Sequence, residues 1–392
     1  MLVRAAAAAL VVGGALLRII NIGNVAARSP DEQVYTAQSR LMLQKGLSGS
    51  RTLAKAYLRS PNLVLYPPPT RIGYLFLLAA TMRVTGVADE RAGAWLSCAA
   101  SILSLLLALE IGWRFLGPWP AILGLAFLCI FPPELVIARR CWIDALVGFG
   151  GLLLFRLTLA NPTSFISAAL PVAGTSLLLL KESSIVIYAG CLLIAFWKAA
   201  GKERVILIGS ALLGSVLCCA ILAFSVGSLN SVFAIILGLP KANAQNAYAL
   251  GYMSGPGYLL PLAFLKLSWL TFASALLGMS AVVLIRDSPE LVRLALLTAV
   301  LIGVFTLIPH GLNLRYVSAT FAPLCLFAGA GLWHAFLAAK RILRPWLHRV
   351  VTACAAIVVA LSLMTDYERF QSKFVRGAAN DLAVRLVNTT SR

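Results

Sequence analysis

Charge is scarce in this chain: 12% of its 392 residues are Asp, Glu, Lys or Arg, 60% are hydrophobic, and the acids number only 14. A mean hydropathy of +0.90 excludes an ordinary water-soluble domain, where apolar and charged fractions are far closer to balance. Histidine is rarer still, with three residues, and His310 has no second histidine near it, which excludes a paired-histidine metal site there. Most of the eight cysteines, including Cys98, Cys129, Cys191 and Cys325, lie inside apolar runs, and the adjacent Cys218 and Cys219 lack a paired spacing. They read as small membrane residues, neither a disulfide framework nor a metal centre. No repeat of fixed period, mirrored half or alternating barrel pattern is visible, so solenoid, inverted-repeat and β-barrel architectures are set aside.

Repeated apolar runs are what the chain does have, near the roughly 20 residues that a membrane-crossing helix needs. Backbone groups in lipid must bond internally, so these runs are read as helices. The expected fold is an all-α polytopic membrane bundle of about eleven transmembrane helices with juxtamembrane surface helices. The net charge of +19 sits in the connections, where it orients the chain against anionic headgroups; a nucleic-acid partner is not expected. The first run, Leu2 to Ile22, resembles a signal peptide but is long for one and carries Arg18, so it is read as a retained helix. The connection from Val25 to Pro69 spaces Val34, Ala37, Leu41 and Leu47 as a short amphipathic helix on the membrane surface. Residues 72–87 are marginal for a crossing. Leaving them in plane puts cations such as Arg114, Lys202 and Arg344 on the inner side, as the positive-inside rule requires. A glycine-rich connection, 227–257, reads as a flexible lid. Residues 1–364 then form the membrane domain and 365–392 a short polar tail without a soluble domain.

The same orientation gathers Asp31 and Glu32, Arg139, Arg140 and Asp144, Lys181 and Glu182, and Arg315 on the outer face, from four separate connections. Carboxylates facing several cations suit a reaction on a lipid phosphate, one acid deprotonating an acceptor while Arg and Lys stabilise the leaving phosphate. Plainer roles compete for each residue. Asp31 and Glu32 suit the N-terminus of a helix that follows Pro30, and Asp144 suits a helix cap. The arginine pair suits headgroup anchoring, Lys181 and Glu182 suit mutual neutralisation, and Arg315 beside Tyr316 suits snorkelling.

Asp31-Glu-Gln-Val-Tyr35 after the first helix resembles the outer-loop acid motif of the GT-C glycosyltransferases, in the branch of protein O-mannosyltransferases and lipid A aminoarabinose transferases. The resemblance continues through Tyr66-Pro-Pro-Pro-Thr-Arg-Ile-Gly-Tyr74, Arg91, Ala138-Arg-Arg-Cys-Trp-Ile-Asp144, Leu180-Lys-Glu182 and Asn313-Leu-Arg-Tyr316. It implies an inverting enzyme that transfers a sugar from a polyprenyl-phosphate-linked donor to a lipid, glycan or protein acceptor. The site would lie on the extracytoplasmic face of a bacterial-type inner membrane. By matching position, Asp31 would be the general base, with Glu32 and Asp144 as supporting catalytic acids. Arg139, Arg140, Lys181 and Arg315 would contact the donor phosphate, with Lys266 as a further cation. Tyr35, Tyr66, Arg71, Glu182 and Tyr316 would line the pocket. The lysine that often precedes the proline of the third stretch is absent, and Arg71 is the nearest basic substitute. Members of the family differ in whether they use a divalent metal, so that point stays open. A transporter or lipid flippase is the competing class; it would place charges near the bilayer midplane, where Lys266 is the main example.

Overall fold

The computed structural model describes residues 2–59, 67–245, 250, 253–285, 288–308 and 311–382. Every regular element among them is helical. The helices are α1 (Leu2–Ile19), α2 (Pro30–Lys45), α3 (Leu47–Arg59), α4 (Ile72–Thr85), α5 (Glu90–Phe115), α6 (Pro118–Ile130), α7 (Pro132–Ala138), α8 (Asp144–Leu159) and α9 (Ser164–Leu180). They continue as α10 (Ile185–Lys198), α11 (Gly201–Val226), α12 (Leu229–Gln245), α13 (Leu259–Leu267), α14 (Trp269–Ile285), α15 (Pro289–Leu307), α16 (Phe321–Ile342) and α17 (Pro345–Phe370).

Each apolar run is helical, but length and composition support fewer crossings than the eleven expected. Among the described residues, five helices are long and apolar enough to cross a membrane, or seven if the bent pairs α6–α7 and α13–α14 each count as one span. Those pairs bend by 58° and 119°. The first break falls at Phe131 ahead of Pro132 and Pro133, where proline removes backbone donors. Other runs are shorter: α10 has 14 residues, about 21 Å at about 1.5 Å per residue, against a hydrocarbon layer of about 30 Å. Residues 72–85 form a helix of the same 14-residue length.

Close helix contacts hold the bundle. A Cβ on Gly329 would overlap the backbone of Gly124, and one on Gly124 would press on Leu326, the small-residue packing that lets membrane helices approach. Arg18 does not interrupt α1. It is fully buried, donating from Nε to Ser101 Oγ (2.7 Å) and from its terminal nitrogens to the carbonyls of Gly14, Leu128 and Cys129. The α6–α7 break ends the helix that would otherwise bond the last two carbonyls, and Arg18 takes the place of the missing donors. Ser101 passes the contact on to Glu134 at 2.6 Å.

Three further expectations change. The segment after α1 is a pair of helices, α2 and α3, and the buried face of α2 is largely polar: Glu32, Tyr35, Thr36, Gln38, Ser39 and Met42. Val34 and Leu41 are only half-buried and Ala37 is exposed, so the face presumed to dip into lipid is not the packed one. Glu32, Tyr35, Thr36 and the Gln38 amide nitrogen meet hydrogen-bond partners there, whereas Ser39 Oγ and Gln38 Oε1 meet none among the described residues. The expected lid is mostly the helix α12, while 246–249 and 251–252 lie outside the described residues. The polar tail is structured as well: after α17 a π-helical turn, Gln371–Val375, leads into a segment that packs back on the bundle.

Candidate active site

Glu32 is the N3 residue of α2 and reaches back to accept from the backbone N of Ser29 at 2.8 Å, the carboxylate half of a capping box. Its oxygens also accept from Cys141 N (3.1 Å), Arg140 (3.1 Å) and Arg28 (3.0 Å), and the side chain has no exposure. The helix-capping role therefore falls to Glu32, which clamps α2 to the turn before α8. That turn lies close against α5, where a Cβ on Gly93 would overlap Cys141. Arg140 is equally committed: it is 1% exposed and donates to Glu32 and to the carbonyls of Ala27, Phe374 and Ala379. Arg139, also buried, donates to Asn21 O at 2.6 Å and lies over the Phe370 ring.

One residue along α2, and about 100° around its axis, Asp31 keeps 24% of its side chain exposed and accepts from Arg315 Nη2 at 2.9 Å. Arg315 is the hub. It stands in a 3-10 turn, Leu314–Thr320, whose first turn is fixed by Asn313 Oδ1 accepting from Arg315 N. Its Nε bonds Asp144 at 2.8 Å, its Nη1 lies 3.4 Å from Asp381, and its guanidinium covers the Trp142 ring at 4.2 Å. The Trp142 indole is wedged between Arg315 and Arg140 and donates to Ser29 Oγ at 2.8 Å. Cation–π contact of this kind orients a guanidinium without neutralising it.

Asp144 opens α8 and is fully buried; its second oxygen accepts from Lys181 Nζ at 2.5 Å. Burial alone would raise the Asp144 carboxyl, but Arg315 and Lys181 outweigh it and hold the group down at about 2. Lys181 sits where α9 gives way to extended backbone, over the Tyr316 ring at 4.5 Å. Its ammonium is pulled down by burial and supported by Asp144. Beside it, Arg71 bonds Glu182 at 3.1 Å and donates to Tyr35 Oη at 2.5 Å, and Thr70 donates to Glu182 at 2.7 Å.

The fold thus joins Asp31, Asp144, Lys181 and Arg315 in one ion-pair network, links Arg71, Tyr35 and Glu182 in a neighbouring one, and places Tyr316 against Lys181. It sets Glu32 and Arg140 behind this network as its frame. Lys266 is exposed on α13 and makes no ion pair among the described residues. Tyr66 lies outside the described residues. Two members were missed from sequence: Trp142, which lies between Ala138 and Asp144 but carries no charge, and Asp381, in the segment read as a tail.

The fold is similar to those of two solved structures. The chain superposes on ArnT from Cupriavidus metallidurans bound to undecaprenyl phosphate, with a TM-score of 0.62 and 12% identity over 93% of this chain and 75% of that one. It also superposes on the oligosaccharyltransferase of Archaeoglobus fulgidus, in a complex with zinc and sulfate, with a TM-score of 0.54 and 12% identity, covering 96% of this chain and 53% of that one. No family model matches the chain, and no curated protein does.

The residues do not fit a divalent ion as arranged. No group of three or more His, Cys, Asp or Glu among the described residues is placed to hold one. Asp31, Asp144 and Asp381 do converge, but on the guanidinium of Arg315.

Proposed function

We propose that this protein is a membrane glycosyltransferase that moves a sugar from a polyprenyl-phosphate carrier to an acceptor hydroxyl or amine, with inversion at the anomeric carbon. One observation carries the reading: of the carboxylates at the hub, Asp31 is the most open, at 24% exposure against 14% for Asp381 and none for Asp144. A general base has to be reachable by the acceptor, and the other acids hold their cations in place.

In the proposed reaction the acceptor's oxygen or nitrogen attacks the anomeric carbon as its proton passes to Asp31. The bond from that carbon to the phosphate oxygen breaks, and its electron pair stays on the phosphate. Arg315 and Lys181, preset by Asp144, stabilise the charge that develops there, and preset donors avoid the cost of reorganising during the reaction. Arg71, which bonds Glu182 next to Lys181 and donates to Tyr35, stands beside the hub as a further cation. Arg140 and Glu32 keep α2 in register and touch no substrate. The site faces the extracytoplasmic side of the inner membrane in this reading, since the connections that carry it are those left poor in cations by the positive-inside count. Residues 1–364 form the catalytic bundle in this reading. The acceptor is a lipid, glycan or protein.

The test is to incubate purified protein with a panel of polyprenyl-phosphate sugars, measure free carrier phosphate, and determine the anomeric configuration of the product by NMR. Sugar-dependent carrier release with inverted configuration is expected. A retained configuration, or no release with any donor, overturns the reading.

A further inference from the structure

The segment read as a polar tail closes over the row of cations. Phe370 lies against Arg139 at 5.7 Å. Arg140 donates to the carbonyls of Phe374 and Ala379 at 3.3 and 3.1 Å. Asp381 accepts from Arg315 Nη1 at 3.4 Å and from Asn313 Nδ2 at 3.1 Å. The backbone ties it down at both ends, Ala26 N donating to Val375 O and Leu314 N to Leu382 O, and Leu382 is buried. Two of these anchors, Asn313 and Leu314, cap and open the turn that presents Arg315, so strap and hub are in direct contact.

Charge makes this arrangement incompatible with an added phosphate. Around the hub, Arg315 and Lys181 face Asp31, Asp144 and Asp381, already one negative charge in excess. Each outer nitrogen of Arg315 is taken by a carboxylate. A phosphate brings further negative charge and needs the paired guanidinium face for bidentate contact; like charges packed on one cation oppose each other. Asp144 is fully buried and shared with Lys181, and Asp31 belongs to a helix clamped through Glu32. Of the three carboxylates on Arg315, Asp381 makes the longest contact, 3.4 Å against 2.9 and 2.8 Å, and it rides on irregular backbone beyond the last helix, so it is the carboxylate that can leave.

We propose that Asp381 is an internal anion seated where the donor phosphate binds, and that residues 371–382 form a strap which the phosphate displaces from Arg315. This rests on the glycosyltransferase reading for the identity of the phosphate's owner. The strap keeps Arg315 occupied and the hub closed until a carrier arrives, and its release opens Arg315 while freeing Arg140 from the carbonyls of Phe374 and Ala379. The apparent affinity for the donor is lowered by the fraction of molecules in which the strap is closed.

The experiment uses the full chain with Cys219 and Cys354 replaced by serine and a spin label at Ala378→Cys, an exposed strap position. Undecaprenyl phosphate and inorganic phosphate are titrated separately into this protein and into its Asp381→Asn variant. The proposal expects the label to become mobile on phosphate binding, and the variant to bind phosphate about tenfold more tightly with the label already mobile. Mobilisation by inorganic phosphate but not by undecaprenyl phosphate upholds the seat and overturns the carrier reading. Tight binding of undecaprenyl phosphate with equal affinity in both proteins and an unmoved label overturns the strap and leaves the carrier reading standing. If neither anion moves the label nor binds the variant more tightly, the proposal falls. Unchanged thermal unfolding of Asp381→Asn shows that the variant is folded.

Discussion

Arg18 and Arg315 are both buried guanidinium groups in a chain that is short of charge, yet they are surrounded differently. Arg18 spends its donors on a serine hydroxyl and the carbonyls of Gly14, Leu128 and Cys129, two of which lie where a helix breaks. Arg315 spends its donors on carboxylates, and one of these, Asp31, opens to solvent. A buried cation on backbone carbonyls completes a helix end. A cation among acids, with an access route, is arranged to exchange one anion for another. Burial of charge does not by itself mark function in this bundle; the identity and accessibility of the partners do.

That contrast can be broken by parallel substitutions. Arg315→Met should lower sugar transfer by about a thousandfold, the scale of losing a preset donor to developing charge. It should also cost about 3–5 kcal/mol of stability by leaving Asp144 with only Lys181. Arg18→Met should destabilise to a similar degree while turnover per folded molecule stays within about threefold of wild type. Thermal unfolding together with turnover normalised to folded protein separates the two. Loss of turnover in folded Arg18→Met would erase the distinction.

Asp144 sharpens it further. Its folded carboxyl is held at about 2, below the ordinary value of about 3.9, so the unfolded chain takes up the proton first on acidification. The stability contributed by Asp144 is therefore fully present above about pH 4 and is lost as pH falls towards 2. The gap in melting temperature between wild type and Asp144→Asn should be flat from pH 7 to about 5 and shrink below about 4. A gap that widens on acidification would mean that Asp144 is neutral in the fold. Glu32→Gln should have a milder effect than Arg315→Met, about a tenfold fall in kcat with KM nearly unchanged, because Glu32 frames α2 without touching the reacting atoms. A KM effect larger than the kcat effect would put Glu32 in the binding pocket.

Much of this was legible in the sequence because ionic residues are so few. Asp144, Lys181 and Arg315 stand out in apolar surroundings, and the expectation that they share one site agrees with the ion pairs that join them. The division of labour between Asp31 and Glu32 was not legible, since adjacent residues differ only by their angle around a helix whose buried face proved to be polar. Asp381 was hidden by its position beyond the last apolar run, where a polar stretch reads as tail unless something packs against it. Trp142 looked like one more aromatic until two guanidinium groups were found on its ring. Lys266 was weighted for being a charge within an apolar run, but it sits beside a 119° break between helices, where a long side chain reaches outward.

The central claim is that Asp31 takes the proton of the acceptor while Arg315 and Lys181 hold the departing phosphate. Single-turnover sugar transfer by Asp31→Asn, with undecaprenyl phosphate binding measured on the same preparation, tests it most directly. The account predicts a rate at least about a thousandfold below wild type, with carrier binding preserved and the protein folded. A rate within a few-fold of wild type would contradict it.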